Sequence, residues 1–269
     1  MSRKAVFITG AARGIGRATA EHFACAGYFV GLYDIDAHGA ARTAKEIAAT
    51  TGEGTTTGED NTTSGALDVA DPAAWRACLE QFWSAAGGRL DVLVNNAGIL
   101  TTGAFAEVPL ARHAAIVEVN FKGMLNGCHT AFPYLKRSPG SAVVNLCSAS
   151  AMYGVPGLAT YSATKAAVRS LTEALDLEWS RQGIRVCDVL PTFVATDMGA
   201  ASMPGTRIKR LSGSLTAEQV AKAVFTAAEH RPRLPHPHRI IGRQTQATAV
   251  LNRLVPSWVT REIFNRLSR

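Results

Sequence analysis

A tyrosine followed four residues later by a lysine, Tyr161 and Lys165, is the pair in this chain best suited to acid–base chemistry. In a helix, residues at this spacing lie on one face, so the phenol and the ammonium group can share a cavity. A free tyrosine has a pKa of about 10, too high for a general base at neutral pH, and a nearby cation is expected to lower it. The hydroxyl of Ser148 could hold a substrate oxygen while Tyr161 gives or takes its proton. Because amphipathic helices produce Tyr-x3-Lys by chance, the pair needs support from other motifs.

Three glycines with the spacing GxxxGxG follow the apolar run 4–9, which predicts a buried strand, a tight turn and the start of a helix. Such a turn lets the backbone approach a pyrophosphate, and the helix N-terminus faces the anion. The alternative is an ordinary turn with structural glycines. The residues that we expect to bind a dinucleotide here are Gly10, Arg13, Gly14, Ile15 and Gly16.

Asp34 ends the second predicted strand, and its charge bears on the choice of cofactor. A carboxylate at this place can accept both ribose hydroxyls of the adenosine and would repel a 2′-phosphate, which favours NAD(H). Arg13 is the one residue that argues for NADP(H), because it could reach a 2′-phosphate. We favour the alternative that Arg13 is a solvated arginine on the loop. The sequence therefore predicts NAD(H), with NADP(H) as the less favoured cofactor.

Polar residues follow two further predicted strands and interrupt one helix. Asp68 could contact the adenine amino group or could cap the helix that follows. The amides of Asn95 and Asn96 could tie neighbouring strands, and Gly98 would let the backbone approach the cofactor. Asn120 lies in an otherwise apolar helical stretch, so it is expected to hold either a water or a backbone kink. The cofactor contacts expected at the two strand ends are Asp68, Val69, Asn96, Ala97 and Gly98.

Strand and helix patterns alternate along the chain, which predicts an α/β fold with a doubly wound parallel sheet. Predicted strands cover residues 4–9, 28–33, 66–69, 91–95, 141–148, 184–190 and 239–241. Predicted helices cover residues 17–26, 37–50, 71–86, 107–137, a segment reaching about 181, and 216–230. Residues 51–65 are a polar insert expected to form a mobile surface loop, and 192–215 a loop with short helices. We expect one domain over residues 1–243 and a helical extension over 244–269.

The net charge of +7 is concentrated at the end of the chain. Residues 231–269 contain eight arginines and one acidic residue, so this part accounts for the whole excess. Two amphipathic helical runs, broken at Pro256, are predicted within 244–269. They could pack on the sheet edge or on a partner subunit, which we favour, or lie with Trp258 on an anionic membrane surface. Charge alone is too little to predict nucleic-acid binding.

The cysteines and histidines predict no metal site. The five cysteines include no CxxC pair, and the seven histidines form no HExxH motif, so reduced buried thiols are the expectation. The apolar run at the start is too short for a signal peptide, and no run reaches the ~18 residues of a membrane span. These features predict a cytoplasmic protein.

The motifs resemble, in order and spacing, those of the short-chain dehydrogenase/reductase family. The motifs that carry the resemblance are Thr9-Gly-x3-Gly-x-Gly16, Asp68, Asn95-Asn-Ala-Gly98, Asn120, Ser148 and Tyr161-x3-Lys165. The resemblance covers about residues 4–242 and implies a Rossmann-type sheet of about seven strands in the order 3-2-1-4-5-6-7. It also implies a homodimer or homotetramer formed through the helices around 111–135 and 160–181.

The resemblance implies a role for each residue of the site. Tyr161 looks like the proton donor and acceptor, and Lys165 like its activator and a ligand of the nicotinamide ribose. Ser148 looks like the anchor of the substrate oxygen, and Asn120 like the holder of a proton-relay water. By the same resemblance, the residues expected beside the nicotinamide are Pro191, Val194 and Thr196, whereas Thr192 replaces the family's usual glycine.

Together these features predict an NAD(H)-dependent oxidoreductase that interconverts a secondary alcohol and a ketone. The alternative is a regulator or scaffold that binds NAD(H) without turnover. The residues expected to contact substrate are Ser148, Tyr153, Tyr161 and Phe193. Mostly apolar side chains are expected to form its walls, which favours a hydrophobic or ring-bearing small molecule: Ala149, Met152, Tyr153, Val155, Phe193, Met198 and Met203.

Overall fold

The computed structural model describes residues 3–51, 61–196, 198, 215–230, 236–242, 245–247, 249–250 and 255–267. The strands are β1 Ala5–Thr9, β2 Phe29–Asp34, β3 Thr62–Ala66, β4 Val92–Asn95, β5 Ala142–Leu146, β6 Arg185–Leu190 and β7 His238–Ile240. The principal helices are α1 Gly14–Cys25, α2 Ala37–Thr51, α3 Pro72–Ala85, α4 Leu110–Val117, α5 Gly123–Leu135, α6 Ala159–Ser180, α7 Ala217–Glu229 and α8 Ser257–Leu267. A π-helical turn, Glu118–Lys122, joins α4 to α5.

The strands form one seven-stranded sheet in the order β3-β2-β1-β4-β5-β6-β7, and every pairing is parallel. The chain starts in the centre of this sheet, builds one half outward, and returns to build the other half. Ligands of such sheets bind outside the carboxyl ends of the strands, where the order reverses next to β1. The predicted α/β class and strand order are confirmed.

Helices cover both faces of the sheet, because the central strands are apolar on both sides. β1, β4 and β5 are wholly buried, as expected for parallel strands between two helical layers. On β1, Phe7 points to the layer of α3, α5 and α6, where it stacks on Tyr33 with ring centroids 4.2 Å apart. Val6 and Ile8 point to the opposite layer, formed by α1, α2 and α7. The fold is therefore a three-layer α/β/α sandwich.

The third strand lies earlier than predicted. It was expected over residues 66–69, but β3 spans Thr62–Ala66 and pairs in parallel with β2 from Val30 to Asp34. This strand is at the sheet edge and only partly buried, so its sequence TTSGA lacks the apolar pattern of a central strand. The end of the predicted loop 51–65 is therefore a strand, and residues 52–60 lie outside the described residues.

The starts of α3 and α7 follow the expected side-chain chemistry. Asp71 caps α3 by accepting a hydrogen bond from the Ala73 N–H at 2.7 Å, with Pro72 in the first helical position. Thr216 and Gln219 form a reciprocal capping box at the start of α7. In the tail, α8 begins directly after Pro256, as predicted.

The domain boundary at residues 243 and 244 stays a prediction, since both lie outside the described residues. No helix in the described part of the chain is long and apolar enough to cross a membrane.

Candidate active site

The predicted site residues converge at the carboxyl edge of the sheet. The glycine turn follows β1, the asparagines end β4, Ser148 follows β5, and Pro191 follows β6. These four strands are neighbours in the sheet, so their ends form one continuous rim. Tyr161 and Lys165 lie in the first two turns of α6, which packs against β6 and against the short 3-10 turn Ala149–Ala151.

Glycine is required at all three positions of the turn after β1. Gly10 and Gly14 have φ angles of +65° and +58°, in the left-handed region that glycine favours. A Cβ on Gly16 would collide with the Gly10 carbonyl oxygen and lie 2.6 Å from Asn96 Nδ2. The turn therefore brings bare backbone to the N-terminus of α1, an arrangement that suits an anion.

Asparagine side chains tie the strands together beneath this rim, as predicted. Asn96 Nδ2 donates to the carbonyl oxygens of Thr9 at 2.8 Å and Gly10 at 3.0 Å. Asn95 Nδ2 donates to Asn145 Oδ1 at 2.9 Å, and Asn145 Nδ2 donates to Thr172 Oγ1 at 3.0 Å. The first set locks β4 to the glycine turn, and the second connects β4, β5 and α6 through buried amides.

Asp34 is fixed beside the glycine turn by backbone donors. Its Oδ2 accepts from the Ala12 N–H at 2.9 Å, and its Oδ1 accepts from the Asp36 N–H at 3.0 Å. Arg13 is exposed at the N-cap of α1 and makes no side-chain capping bond there. A carboxylate thus belongs to the wall of the turn, whereas Arg13 is an exposed residue at its end.

Asp68 and Val69, the two residues expected near the adenine, differ in burial. Asp68 is exposed, and its Oδ1 accepts from the Ala70 N–H at 2.9 Å, so it shapes the turn before α3. Val69 is buried, and its carbonyl oxygen accepts from Trp75 Nε1 at 3.0 Å and Asn126 Nδ2 at 3.1 Å. Asp68 thus forms the turn that leads into α3, whereas the cap of that helix is Asp71.

Asn120 lies in the π-helical turn and clamps the backbone after β4. Its Nδ2 donates to the Ile99 carbonyl oxygen and its Oδ1 accepts from the Ile99 N–H, each at 2.8 Å. Asn120 is buried, and a Cβ on Gly98 would lie 3.3 Å from its Oδ1. The kink expected at Asn120 is therefore present as a π-turn, a feature often found at functional sites. Its role as holder of a water stays a prediction.

Ser148, Tyr161 and Lys165 lie together at the end of β5. Ser148 Oγ accepts from the Ser150 N–H at 3.2 Å and from Ser150 Oγ at 3.0 Å, and it lies close enough to Tyr161 to lower the pKa of the phenol. Lys165 is buried, its Nζ donates to the Leu146 carbonyl oxygen at 2.6 Å, and it lies 5.6 Å from the centre of the Tyr161 ring. The structure thus joins the three side chains that the sequence singled out.

The expected lowering of the Tyr161 pKa by Lys165 is wrong for this arrangement. Burial raises the pKa of Tyr161 to about 12; an ionised Cys147 thiol would add to this, and the Ser148 hydrogen bond opposes it. Burial also lowers the pKa of Lys165. The Lys165 ammonium group donates to the Leu146 carbonyl oxygen, and desolvation of the phenol is the largest effect on the Tyr161 pKa.

The segment after β6 crosses the rim toward the glycine turn. The Pro191 carbonyl oxygen accepts from the Ala149 N–H at 2.9 Å, which joins it to the residue after Ser148. Val194 is buried and forms a parallel bridge with Leu215. A Cβ on Gly14 would lie 3.5 Å from Thr196 Cγ2. The segment predicted to contact the nicotinamide therefore runs from the residue next to Ser148 to the glycine turn.

An apolar cluster lies against Tyr161 and includes two residues that the sequence did not single out. Its members are Leu100, Val155, Leu158, Tyr161 and Phe193. Leu100 and Leu158 were missed because nothing in their local pattern shows which loop side chains meet across the rim. Met152 packs on the main core instead, Tyr153 is partly buried, and Met198 is 40% exposed. Met203 lies outside the described residues.

In the described part of the chain, no group of three His, Cys, Asp or Glu side chains could hold a metal ion.

Residues 4–206 match the family described as short chain dehydrogenase. The chain is 31% identical over 234 residues to D-threitol dehydrogenase of Mycolicibacterium smegmatis, covering 84% of this chain and 86% of the relative. It is 32% identical over 215 residues to 2,5-dichloro-2,5-cyclohexadiene-1,4-diol dehydrogenase of Sphingobium indicum, covering 80% and 82%. The crystal structure of 3-ketoacyl-(acyl-carrier-protein) reductase from Brucella melitensis complexed with NADH superimposes with a TM-score of 0.78 at 28% identity, covering 88% of this chain and 95% of that one.

The fold, the rim of motifs and these similarities define an oxidoreductase of the CH–OH class. The chain belongs to the short-chain dehydrogenase/reductase family. Its relatives are named dehydrogenases and reductases, so the alternative of a regulator without turnover is not favoured.

Proposed function

We propose that the protein transfers hydride reversibly between NAD(H) and a secondary alcohol or ketone, with Tyr161 as the general acid–base. The observation that carries the proposal is the grouping of Ser148, Tyr161 and Lys165 on the same rim as the glycine turn. A nicotinamide, when bound, supplies the hydride-carrying carbon. The residues of this chain hold the carbinol oxygen and move its proton.

The polarity of Ser148 suits an oxygen anchor. A hydroxyl has one proton and two acceptor lone pairs, and Ser150 donates to Ser148 Oγ through both its N–H and its Oγ–H. The proton of Ser148 is therefore left for the phenol oxygen or for a substrate oxygen. A donated hydrogen bond favours the phenolate, which agrees with the lowering effect of Ser148 on the Tyr161 pKa.

Tyr161 is poised for ketone reduction. With a pKa raised to about 12, its phenol is protonated at neutral pH and can give that proton to a developing alkoxide. For alcohol oxidation the phenol must lose its proton, and Lys165 is the buried cation beneath it. We assign to Lys165 the support of the phenolate and a contact to the nicotinamide ribose.

The residues of the rim fit a dinucleotide, and we propose NAD(H). The glycine turn offers side-chain-free backbone for the pyrophosphate. Each Asp34 oxygen accepts one backbone N–H, and a carboxylate has about four acceptor sites, so capacity remains for ribose hydroxyls. The same charge would repel a 2′-phosphate. Asp68 is proposed to face the adenine, and Pro191, Val194 and Thr196 the nicotinamide.

A hydrophobic or ring-bearing alcohol is the substrate class that we propose. The side chains that form an apolar cluster with Tyr161 are aliphatic or aromatic, and such walls favour apolar ligands. One relative takes its name from a cyclohexadiene diol, whereas another is named for a small polyol. The named substrates thus share a carbinol and differ in their apolar part, which is the part that the cluster would contact.

A panel of open-chain and cyclic secondary alcohols, followed by NADH absorbance, tests the proposal. We expect NAD-dependent turnover that is strongest with cyclic substrates. Turnover with none of the alcohols, and with none of the matching ketones plus NADH, would contradict the proposed reaction. Equal or better turnover with NADP would contradict the cofactor assignment alone.

We also propose a homo-oligomer formed through α4, α5 and α6. Large apolar side chains on these helices face solvent: Leu110, Val117, Leu125 and Leu177. Leu110 and Val117 are seven residues apart on α4 and so lie on one helix face. Replacing Leu177, which is 76% exposed, by Glu should shift the protein to a smaller species in sedimentation velocity. A monomeric wild type would contradict the proposal.

For the tail, we propose packing against a sheet edge or partner in a cytoplasmic protein. Trp258 on α8 is 71% exposed, so it is the side chain that a membrane-binding role would use. Cosedimentation with anionic vesicles before and after deletion of 244–269 separates the two roles. Equal binding of both proteins would contradict membrane contact through the tail, and vesicle binding lost on deletion would contradict our preference.

A further inference from the structure

We propose that His113 is a positioning residue that fastens the loop 99–108 to the catalytic helix and so holds Leu100 as a specificity-determining wall beside Tyr161. This inference rests on the proposed alcohol dehydrogenase activity. The loop follows β4 and precedes α4, and Leu100 is its member in the apolar cluster with Tyr161 and Phe193. What holds the loop therefore decides how much room a substrate has.

His113 bridges the far end of this loop to the start of α6. Its Nε2 lies 3.1 Å from the Phe105 carbonyl oxygen, and its Nδ1 lies 2.6 Å from Thr160 Oγ1. The imidazole also contacts the Phe105 ring in a tilted arrangement, with centroids 4.6 Å apart and planes inclined by 34°. Thr160 directly precedes Tyr161, so the bridge ends one residue from the proposed general acid–base.

The hydrogen-bond directions of the bridge follow from its partners. A carbonyl oxygen can only accept, so His113 must carry its proton on Nε2 to bond Phe105. In the neutral ring Nδ1 is then an acceptor, and the Thr160 hydroxyl donates to it. Thr160 donates to His113, and His113 donates to the Phe105 carbonyl oxygen. These two hydrogen bonds connect α6 to the loop through the imidazole.

Two further contacts hold the other end and the middle of the loop. Both polar atoms of the Asn120 side chain bond the Ile99 backbone, and the Gly103 N–H donates to the Gly157 carbonyl oxygen at 3.1 Å. Leu100 lies between these two contacts, whereas His113 holds the part of the loop beyond Gly103. Asn120 reaches the catalytic helix as well, through Thr164 Oγ1 at 3.5 Å, whereas His113 joins the far part of the loop to the residue next to Tyr161.

The effect expected of the bridge is on substrate recognition rather than on cofactor binding. His113→Ala removes both bonds, and Thr160→Val removes one donor while keeping the shape of the side chain. We expect each to raise KM for a cyclic alcohol by about tenfold, with kcat and the NADH dissociation constant changed less than ~2-fold. The double variant should be no worse than His113→Ala, because the two residues act through one contact. Leu100→Ala should shift preference toward bulkier alcohols by about tenfold.

Hydrogen exchange and two controls make the test decisive. Amides of residues 99–108 should exchange faster in both bridge variants, and His113→Gln, which can both donate and accept, should restore protection and KM. His22→Ala, at another partly buried histidine that is paired with Glu218 on the opposite helical layer, should change neither. Unchanged exchange in the bridge variants, or additive effects in the double variant, would overturn the inference. An inactive wild type would instead contradict the proposed reaction, and hydrogen exchange would still decide the role of His113.

Discussion

The buried ion pair between Asp188 and His238 should make the protein less stable as the pH rises above neutrality. Asp188 on β6 is completely buried, and both of its oxygens lie 2.9–3.0 Å from His238 Nδ1 on β7. The other ring nitrogen, Nε2, lies 2.7 Å from Glu173 Oε1 on α6. The two carboxylates favour the imidazolium form, in which both ring nitrogens donate, whereas Arg169 Nε lies 3.3 Å from His238 Nε2 and opposes it. Arg169 and the half-exposed Glu173 complete the charged surroundings.

The sign of the pH dependence follows from the pKa of His238. Burial and the charge of Arg169 lower this pKa, but the hydrogen bond and charge of Asp188 and the hydrogen bond of Glu173 outweigh them and raise the pKa above its usual value. The contribution to stability is therefore complete below the unfolded pKa of about 6.5 and is lost as the pH rises through the folded pKa. Within that window one proton contributes a slope of up to about 1.4 kcal/mol per pH unit.

Urea unfolding from pH 6 to 9 of the wild type and of His238→Gln measures this effect. At pH 6 the variant should lose about 3 kcal/mol, because a buried carboxylate loses its partner. The difference should shrink as the pH rises, since the wild type alone loses the His238 contribution. The double variant with Asp188→Asn should recover part of the loss. Parallel curves for the wild type and His238→Gln would refute the charged state of His238.

Three further predictions concern the rim. Asp34→Ala should reduce discrimination against NADP(H) by about tenfold to a hundredfold, as removal of a charge repulsion of ~1–3 kcal/mol requires; steady-state kinetics with both cofactors check this, and an unchanged ratio would favour Arg13 as the determinant. Gly16→Ala should weaken NADH binding at least about tenfold by fluorescence titration, because the new Cβ meets Gly10 and Asn96. Gly154→Ala, where a Cβ meets nothing within 4 Å, is the matched control, and equal affinities would contradict the close fit of the turn. Ser150→Ala should lower kcat about tenfold at constant KM, since the Ser148 proton is no longer directed; a KM effect alone would contradict that role.

Much of the fold could be predicted because its central strands have a simple pattern. β1 and β5 are buried on both faces, and continuous apolar runs mark such strands. The seven-strand order came from the family resemblance and is confirmed. β3 was misplaced because an edge strand of Thr, Ser and Gly is held by backbone pairing to β2, and the buried side chains of Leu67 and Val69 follow it. Local hydrophobicity therefore identified the buried residues Leu67 and Val69 but did not identify the strand Thr62–Ala66 that precedes them.

The site was predicted where side chains follow strand ends, and it was incomplete where contacts join distant loops. The sequence located Ser148, Tyr161 and Lys165, which the structure brings together. It gave the wrong direction for the Tyr161 pKa, because spacing shows proximity of a cation but does not show desolvation. The role proposed for His113 rests on its contacts with Phe105 and Thr160, and hydrophobic periodicity in the sequence does not reveal such contacts.

The central claim is that Tyr161 exchanges a proton with the substrate while the rest of the rim binds the cofactor. The most direct measurement compares wild type and Tyr161→Phe in two assays, NADH affinity by fluorescence titration and turnover of the best alcohol of the panel. The account predicts NADH dissociation constants within about 2-fold and a loss of turnover of at least ~100-fold, the usual contribution of a general acid–base. A Tyr161→Phe variant that keeps more than about a tenth of wild-type turnover would contradict it.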